Sequence, residues 1–321
     1  MGNSSNDELL ATNDKLMHNI VDTFQLIFTI LCALFLIIII RPLYKFSKKR
    51  TALYILFSKS CANILYQIRQ IYVYFFNYFK FSTSFWSSFF ILPCAIILLN
   101  AAYFHIIGLA LNRFQAVFFP FSYQKIWKSK NIKYIILIIW VINIFWSSLQ
   151  YISFILGIAE NGILNPLVYG IFMEGDLVIL LSLIISTPLY TATLIKFIYD
   201  YKYKQNLSSN QNAQKDRVFV FIICLISLIP CPTLIGLSKL GEFITNNIQN
   251  ISAIIIINIL HNSFFTIIQF IEEICLIIYS KDFYKLVKKQ FIKNSSQSPI
   301  VNTIFVKPYS QQTQLVNQNM Q

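Results

Sequence analysis

Apolar and polar positions fall into long blocks along this chain, not at the two-residue spacing of strands. Apolar runs recur seven times, at about 23–40, 51–76, 86–112, 132–156, 177–199, 218–237 and 251–279. A helix of about 20 apolar residues is what crossing a bilayer requires. Inside hydrocarbon every backbone polar group must be satisfied within the segment, which a helix achieves alone. The pattern predicts an all-α membrane protein, a seven-transmembrane helix bundle. Arg41-Pro42 stops the first run. The second run carries Lys59, Asn63, Gln67 and Arg69 at steps of four, four and two, close to one helical face. Such a stripe belongs against protein or water, not lipid. Pro188, Pro230 and Pro232 lie inside the fifth and sixth runs and predict bends there, either as tolerated kinks or as hinges. Residues 280–293, containing KDFYKLVKKQF, predict a short amphipathic surface helix with Phe283, Leu286, Val287 and Phe291 toward lipid. Residues 294–321 are rich in Asn, Gln and Ser and predict a disordered cytoplasmic tail.

Composition agrees with the pattern. The chain is 56% hydrophobic and 12% charged, whereas soluble domains are about 25% charged. A net charge of +13 in a soluble chain would point to nucleic acid. Its distribution points to orientation instead. Twenty of the 26 Lys and Arg lie in the first, third and fifth loops and after the seventh run, counting Lys133 at the start of the fourth run with the third loop. Eight of the 13 acids lie on the opposite side. The positive-inside rule therefore predicts an extracellular N-terminus, residues 1–22, and a cytoplasmic C-terminus in a multi-pass plasma-membrane protein. The basic loops predict contact with anionic membrane lipids and no nucleic-acid partner. The polar, acidic start lacks a basic region and cleavage site, so no cleavable signal peptide is expected. Asn3 and Asn250 open glycosylation sequons on the predicted outer side. The N-terminal residues do not give a myristoylation motif.

Candidate chemistry is sparse. The six cysteines, Cys32, Cys61, Cys94, Cys224, Cys231 and Cys275, all lie in apolar runs and read as buried thiols. His18, His105 and His261 are scattered, so no metal site is expected. No HExxH, GxSxG, phosphate loop or intramembrane aspartate pair is present, and neither an enzyme nor a cofactor is expected. Glu272 and Glu273 are adjacent and diverge by about 100° around a helix, unsuited to a close acid–base dyad. Lys59 lies eight residues from the basic end of its run, about 12 Å deep, and Glu273 six residues from the end of its own, about 9 Å deep. Matching depths predict an intramembrane ion pair of Lys59 with Glu272 or Glu273, against the alternative that Lys59 snorkels to the surface. Arg69 is expected near the outer face, where it either snorkels or meets an anionic ligand. Asn100 and Tyr103, mid-way along the third run with His105 nearby, are candidates to line a ligand pocket or to bond neighbouring helices.

The third run ends in Leu111-Asn112-Arg113-Phe114-Gln115-Ala116-Val117-Phe118-Phe119-Pro120-Phe121-Ser122-Tyr123-Gln124-Lys125-Ile126-Trp127. The pattern LNRF-x-A-V-x-F-P-x-x-Y-x-x-x-W resembles the third-helix exit of the nematode serpentine chemoreceptors, class gamma, with class v next. The resemblance covers this motif, the seven-span layout and the compact loops. It implies a G-protein-coupled receptor of sensory cells that binds a small-molecule ligand between its helices and activates a heterotrimeric G protein. Asn112 and Arg113 then couple to that protein, and Pro120, Tyr123 and Trp127 shape the inner loop that meets it. Without the motif, Arg113 is a helix anchor and Trp127 a member of the interfacial aromatic belt. Departures from the rhodopsin-like pattern are specific. Asn112 replaces the acidic neighbour of the arginine, and the seventh run keeps only Tyr279 of the usual Asn-Pro-x-x-Tyr. The usual outer-loop disulfide has no cysteine between Gly157 and Asp176. The competing expectation is a small-molecule or ion transporter with Lys59, Arg69 and Glu273 as its polar path. Transporters tend to carry internal repeats, and none is visible in this sequence.

Overall fold

A computed structural model describes residues 4–48, 51–79, 90–128, 130–155, 176–204, 226, 230–247 and 251–291. Among these residues there are nine helices and no strand. They are α1 (Ser4–Ser47), α2 (Thr51–Tyr78), α3 (Leu92–Phe118), α4 (Pro120–Ile126) and α5 (Ile132–Ile155). After these come α6 (Asp176–Lys204), α7 (Pro230–Asn247), α8 (Ile251–Tyr279) and α9 (Lys281–Phe291). Five hold stretches long and apolar enough to cross a membrane: Asn19–Ser47, Leu92–Phe118, Ile132–Ser153, Leu177–Lys196 and Ile255–Tyr279. Neither α2 nor α7 is among them, since polar residues interrupt both. Large apolar side chains such as Ile27, Leu34, Ile138, Phe145 and Ile184 stand exposed on the apolar helices. An apolar exterior of this kind suits a solvent of lipid, and the protein is membrane-embedded.

Residues 4–287 hold the helix packing; the second compact unit begins at Lys288, and of it only the last turn of α9 is described. Helix α3 is the hub, packing against α2, α4, α5 and α6. Helix α1 packs against α2 and α8, α8 also against α2 and α7, and α7 against α6. Three apolar clusters knit these contacts. One joins Tyr103, Ile106 and Ala110 of α3 to Val178, Ile179 and Tyr190 of α6. A second gathers Ile39, Leu43 and Phe46 of α1, Leu53 and Leu56 of α2, Leu276 of α8 and Phe283 of α9. A third sets Trp127 and Ile132 against Ala52, Ile55 and Leu109.

Several boundaries differ from those the sequence predicts. Helix α1 runs through Pro42 to Ser47 instead of stopping at Arg41. The packing of Leu43 and Phe46 offsets the one backbone bond the proline removes. Helix α3 continues past Asn112 to Phe118, because nothing before Pro120 breaks it. Phe119, forced out of helical geometry by the proline after it (φ −130°, ψ 62°), ends the helix. Helices α6 and α7 extend to Lys204 and Asn247, beyond the expected 199 and 237. Pro188 sits within α6 as expected, whereas Pro230 is the first described residue of α7. Phe283 does not face lipid: it is fully buried, its ring 5.5 Å from that of Phe46. Phe283, with Leu286 and Val287 beside it, therefore docks the start of the amphipathic helix onto the end of α1, whereas Phe291 is exposed. The described part of Asn3 and Asn250, the start of the third run, residues 218–225 and the tail 294–321 is none: all lie outside the described residues.

Candidate functional site

The polar stripe of α2 meets a polar stripe of α8. Lys59 Nζ lies 2.7 Å from Glu272 Oε1, and both side chains are 1% exposed. One turn on, Asn63 Nδ2 donates to the Gln269 carbonyl at 2.6 Å. Another turn on, Gln67 Nε2 donates to Gln269 Oε1 at 2.7 Å. Ser60 Oγ touches both the Leu56 carbonyl oxygen, at 2.8 Å, and Glu273 Oε1. Glu273 is as buried as Glu272. The two glutamates diverge around α8 as adjacent residues must, and α2 supplies a partner to each. Lys59 does not snorkel; its ammonium is enclosed. An isolated charge there would be strongly disfavoured, and the opposite charge offsets much of that penalty.

A second polar knot adjoins it. His105 Nδ1 lies 2.6 Å from the Ala101 carbonyl oxygen, and His105 Nε2 lies 2.9 Å from Ser58 Oγ. A carbonyl can only accept, so Nδ1 carries the proton and Nε2 accepts from Ser58. Trp140 Nε1 donates to Ser58 Oγ at 3.0 Å, tying α5 to the same point.

At the end of α3 the motif residues separate into two groups. Asn112 is fully buried, and neither side-chain atom has a hydrogen-bond partner among the described residues. Arg113 Nε is likewise buried without one. Trp127, by contrast, is docked against α3. It is buried, and its Nε1 donates to Gln115 Oε1 at 2.6 Å. The Tyr123 ring stacks on it at 6.4 Å. Pro120 opens α4, and the turn at Phe119 folds that helix back so that Trp127 reaches α3. The spacing Gln115…Tyr123…Trp127 thus fastens α4 to α3.

The three ligand candidates turn to three different neighbours. Asn100 Nδ2 donates to Ser147 Oγ and Gln150 Oε1 of α5, each at 3.0 Å. Tyr103 is buried against α6. Arg69 Nε donates at 3.4 Å to the Ile91 carbonyl, just before α3. Among the described residues no metal-ligand cluster occurs, and Cys32, Cys61, Cys94 and Cys275 are free thiols. Ser60, Gln269, Ser58 and Gln115 were missed by the sequence reading. Gln269 was findable, because Glu272 and Glu273 follow it by three and four along α8, which puts it on their face of the helix, as steps of four put Lys59, Asn63 and Gln67 on one face of α2. Gln115 was not, since its partner lies beyond a turn.

No protein-family model matches the chain, and no curated protein matches it in sequence. The fold and its buried polar seam define a helical membrane protein whose bundle is held partly by charge.

Proposed function

We propose that this chain is a chemosensory G-protein-coupled receptor, which binds a small-molecule cue between its helices and activates a heterotrimeric G protein. In this reading α2 and α7 are the two further spans that complete seven, the N-terminus is extracellular, and the basic end carrying Arg113 faces the cytoplasm of a sensory cell. The observation that carries it is the end of the hub helix. Arg113 stands there with a buried Nε that has no hydrogen-bond partner among the described residues, beside the elbow at Phe119 and the clasped α4. A G-protein terminus has an acceptor-seeking cation to meet at that point. The packing order supports the same reading: α3 is central to α2, α5 and α6, and α8 closes on α1 and α2. The motif resemblance adds the chemosensory class. The transporter alternative has less support, because Lys59 is ion-paired to Glu272, Glu273 is engaged by Ser60, and Arg69 bonds elsewhere.

Ligand binding would shift an existing equilibrium of the bundle toward a state open at its basic end. The test is a screen of odorant pools in cells carrying a G-protein reporter. Arg113→Ala should lower the response by about fivefold or more, the lower range of allosteric couplings, at unchanged surface expression. Ligand-dependent flux without G-protein activation sinks the reading.

A further inference from the structure

The α2–α8 seam carries one carboxyl group more than its cations. Lys59, Glu272 and Glu273 are each at most 1% exposed, so two acids share one ammonium away from water. Glu272 is the acid in contact with Lys59. Glu273 instead meets a hydroxyl, Ser60 Oγ, which also contacts the Leu56 carbonyl oxygen at 2.8 Å. A serine hydroxyl has one proton, and a backbone carbonyl has none to give. Ser60 cannot donate to both. If Ser60 donates to Glu273 Oε1, the Leu56 carbonyl contact carries no proton; if a protonated Glu273 Oε1 donates to Ser60 and Ser60 to Leu56, both contacts are full hydrogen bonds. Charge and hydrogen-bond count point the same way, since one bound proton leaves the buried group neutral overall.

We propose that Glu273 is a proton-binding site, holding a neutral carboxylic acid between α2 and α8 while Glu272 serves as the counter-ion of Lys59. The ligand is a single proton, taken up by a carboxylate oxygen to give the acid. This goes beyond the receptor reading and does not depend on it. Among the described residues, the groups around the seam supply no second cation. Helix α2 presents Lys59, and α8 itself adds Glu272 and Cys275. Helix α3 presents His105 behind Ser58, and α1 has Cys32 as its buried titratable side chain among the described residues. Lys239 of α7 and Lys281, Asp282 and Lys285 of α9 are exposed. Ionising Glu273 would set a second negative charge beside Glu272 and break the donor chain into Leu56. Separating α2 from α8 admits water and releases the proton, and by linkage the bound proton favours the closed seam.

Infrared spectroscopy of the full chain in lipid nanodiscs tests the assignment. At neutral pH the wild type should show a protonated-carboxyl stretching band that shifts in deuterium oxide. Glu273→Gln should remove it. Lys59→Met should keep it, since the acid that carries the band is not the one in contact with the lysine. The measurement on wild type needs no variant to fold. Absence of the band, or its survival in Glu273→Gln, overturns the proposal. So does a band that appears only when sodium is replaced by choline, because a metal cation and not a proton would then hold the site.

Discussion

Two seams of this bundle are built in opposite ways. Helices α3 and α6 meet through Tyr103, Ile106, Ala110, Val178, Ile179 and Tyr190, an apolar contact. Helices α2 and α8 meet through Lys59, Ser60, Asn63 and Gln67 against Gln269, Glu272 and Glu273. In lipid, burying an apolar side chain between helices gains little transfer energy, because the tails are as apolar as the side chain. An apolar seam is therefore held by packing, and neighbouring registers differ little in energy. The polar seam has one register, since a shift of a turn would part Lys59 from Glu272 and Asn63 from Gln269 at once. The comparison teaches that one seam fixes where the helices stand, while the other is free to adjust.

Substitutions that break the fixed seam should have the largest effects. Glu272→Ala removes the acid that Lys59 contacts and should destabilise the folded chain by about 3–5 kcal/mol. Thermal unfolding in detergent, followed alongside the yield of monodisperse protein, reads this; a melting point within a degree of wild type would show that the pair holds little. Gln269→Leu removes the acceptor of Gln67 yet leaves the backbone carbonyl that Asn63 uses, so a loss of about 0.6–1.7 kcal/mol is expected. At the adjustable seam, Ile106→Val should cost about 0.5–1.5 kcal/mol from the cavity left behind. The smallest effect belongs to Ser182→Ala on α6. Its hydroxyl is buried without a hydrogen-bond partner among the described residues, so the change should be neutral or slightly stabilising. A clear loss there would mean that the α3–α6 seam also depends on polar contacts.

Helix identity was legible wherever apolar length alone decides, and the five apolar spans fall on runs that the sequence marks out. Boundaries were less legible, for reasons particular to each. Arg113 looked like the end of a helix because charge marks an interface, but the backbone needs a breaker to stop, and the first is Pro120. Phe283 looked lipid-facing because period alone cannot say which solvent an apolar stripe meets; the end of α1 meets it first. Depth counting along α2 and the last span placed Lys59 level with the two glutamates, since rise per residue is fixed. Which glutamate meets the lysine depends on rotation of α8, and sequence carries no rotation. Position alone left Asn100 open between lining a pocket and bonding a neighbouring helix; its bonds to Ser147 and Gln150 of α5 join residues 47 and 50 positions apart, a pairing that sequence does not show.

Trp127 gives the short helix a mechanical role. Its indole is pinned to Gln115, about one turn before the end of α3, and the chain between them passes through the elbow at Phe119. Helix α4 is thus a handle riveted to the shaft at two points, the elbow and the indole. A partner that grips it cannot twist it freely; torque on the handle is delivered to the hub helix with little slack.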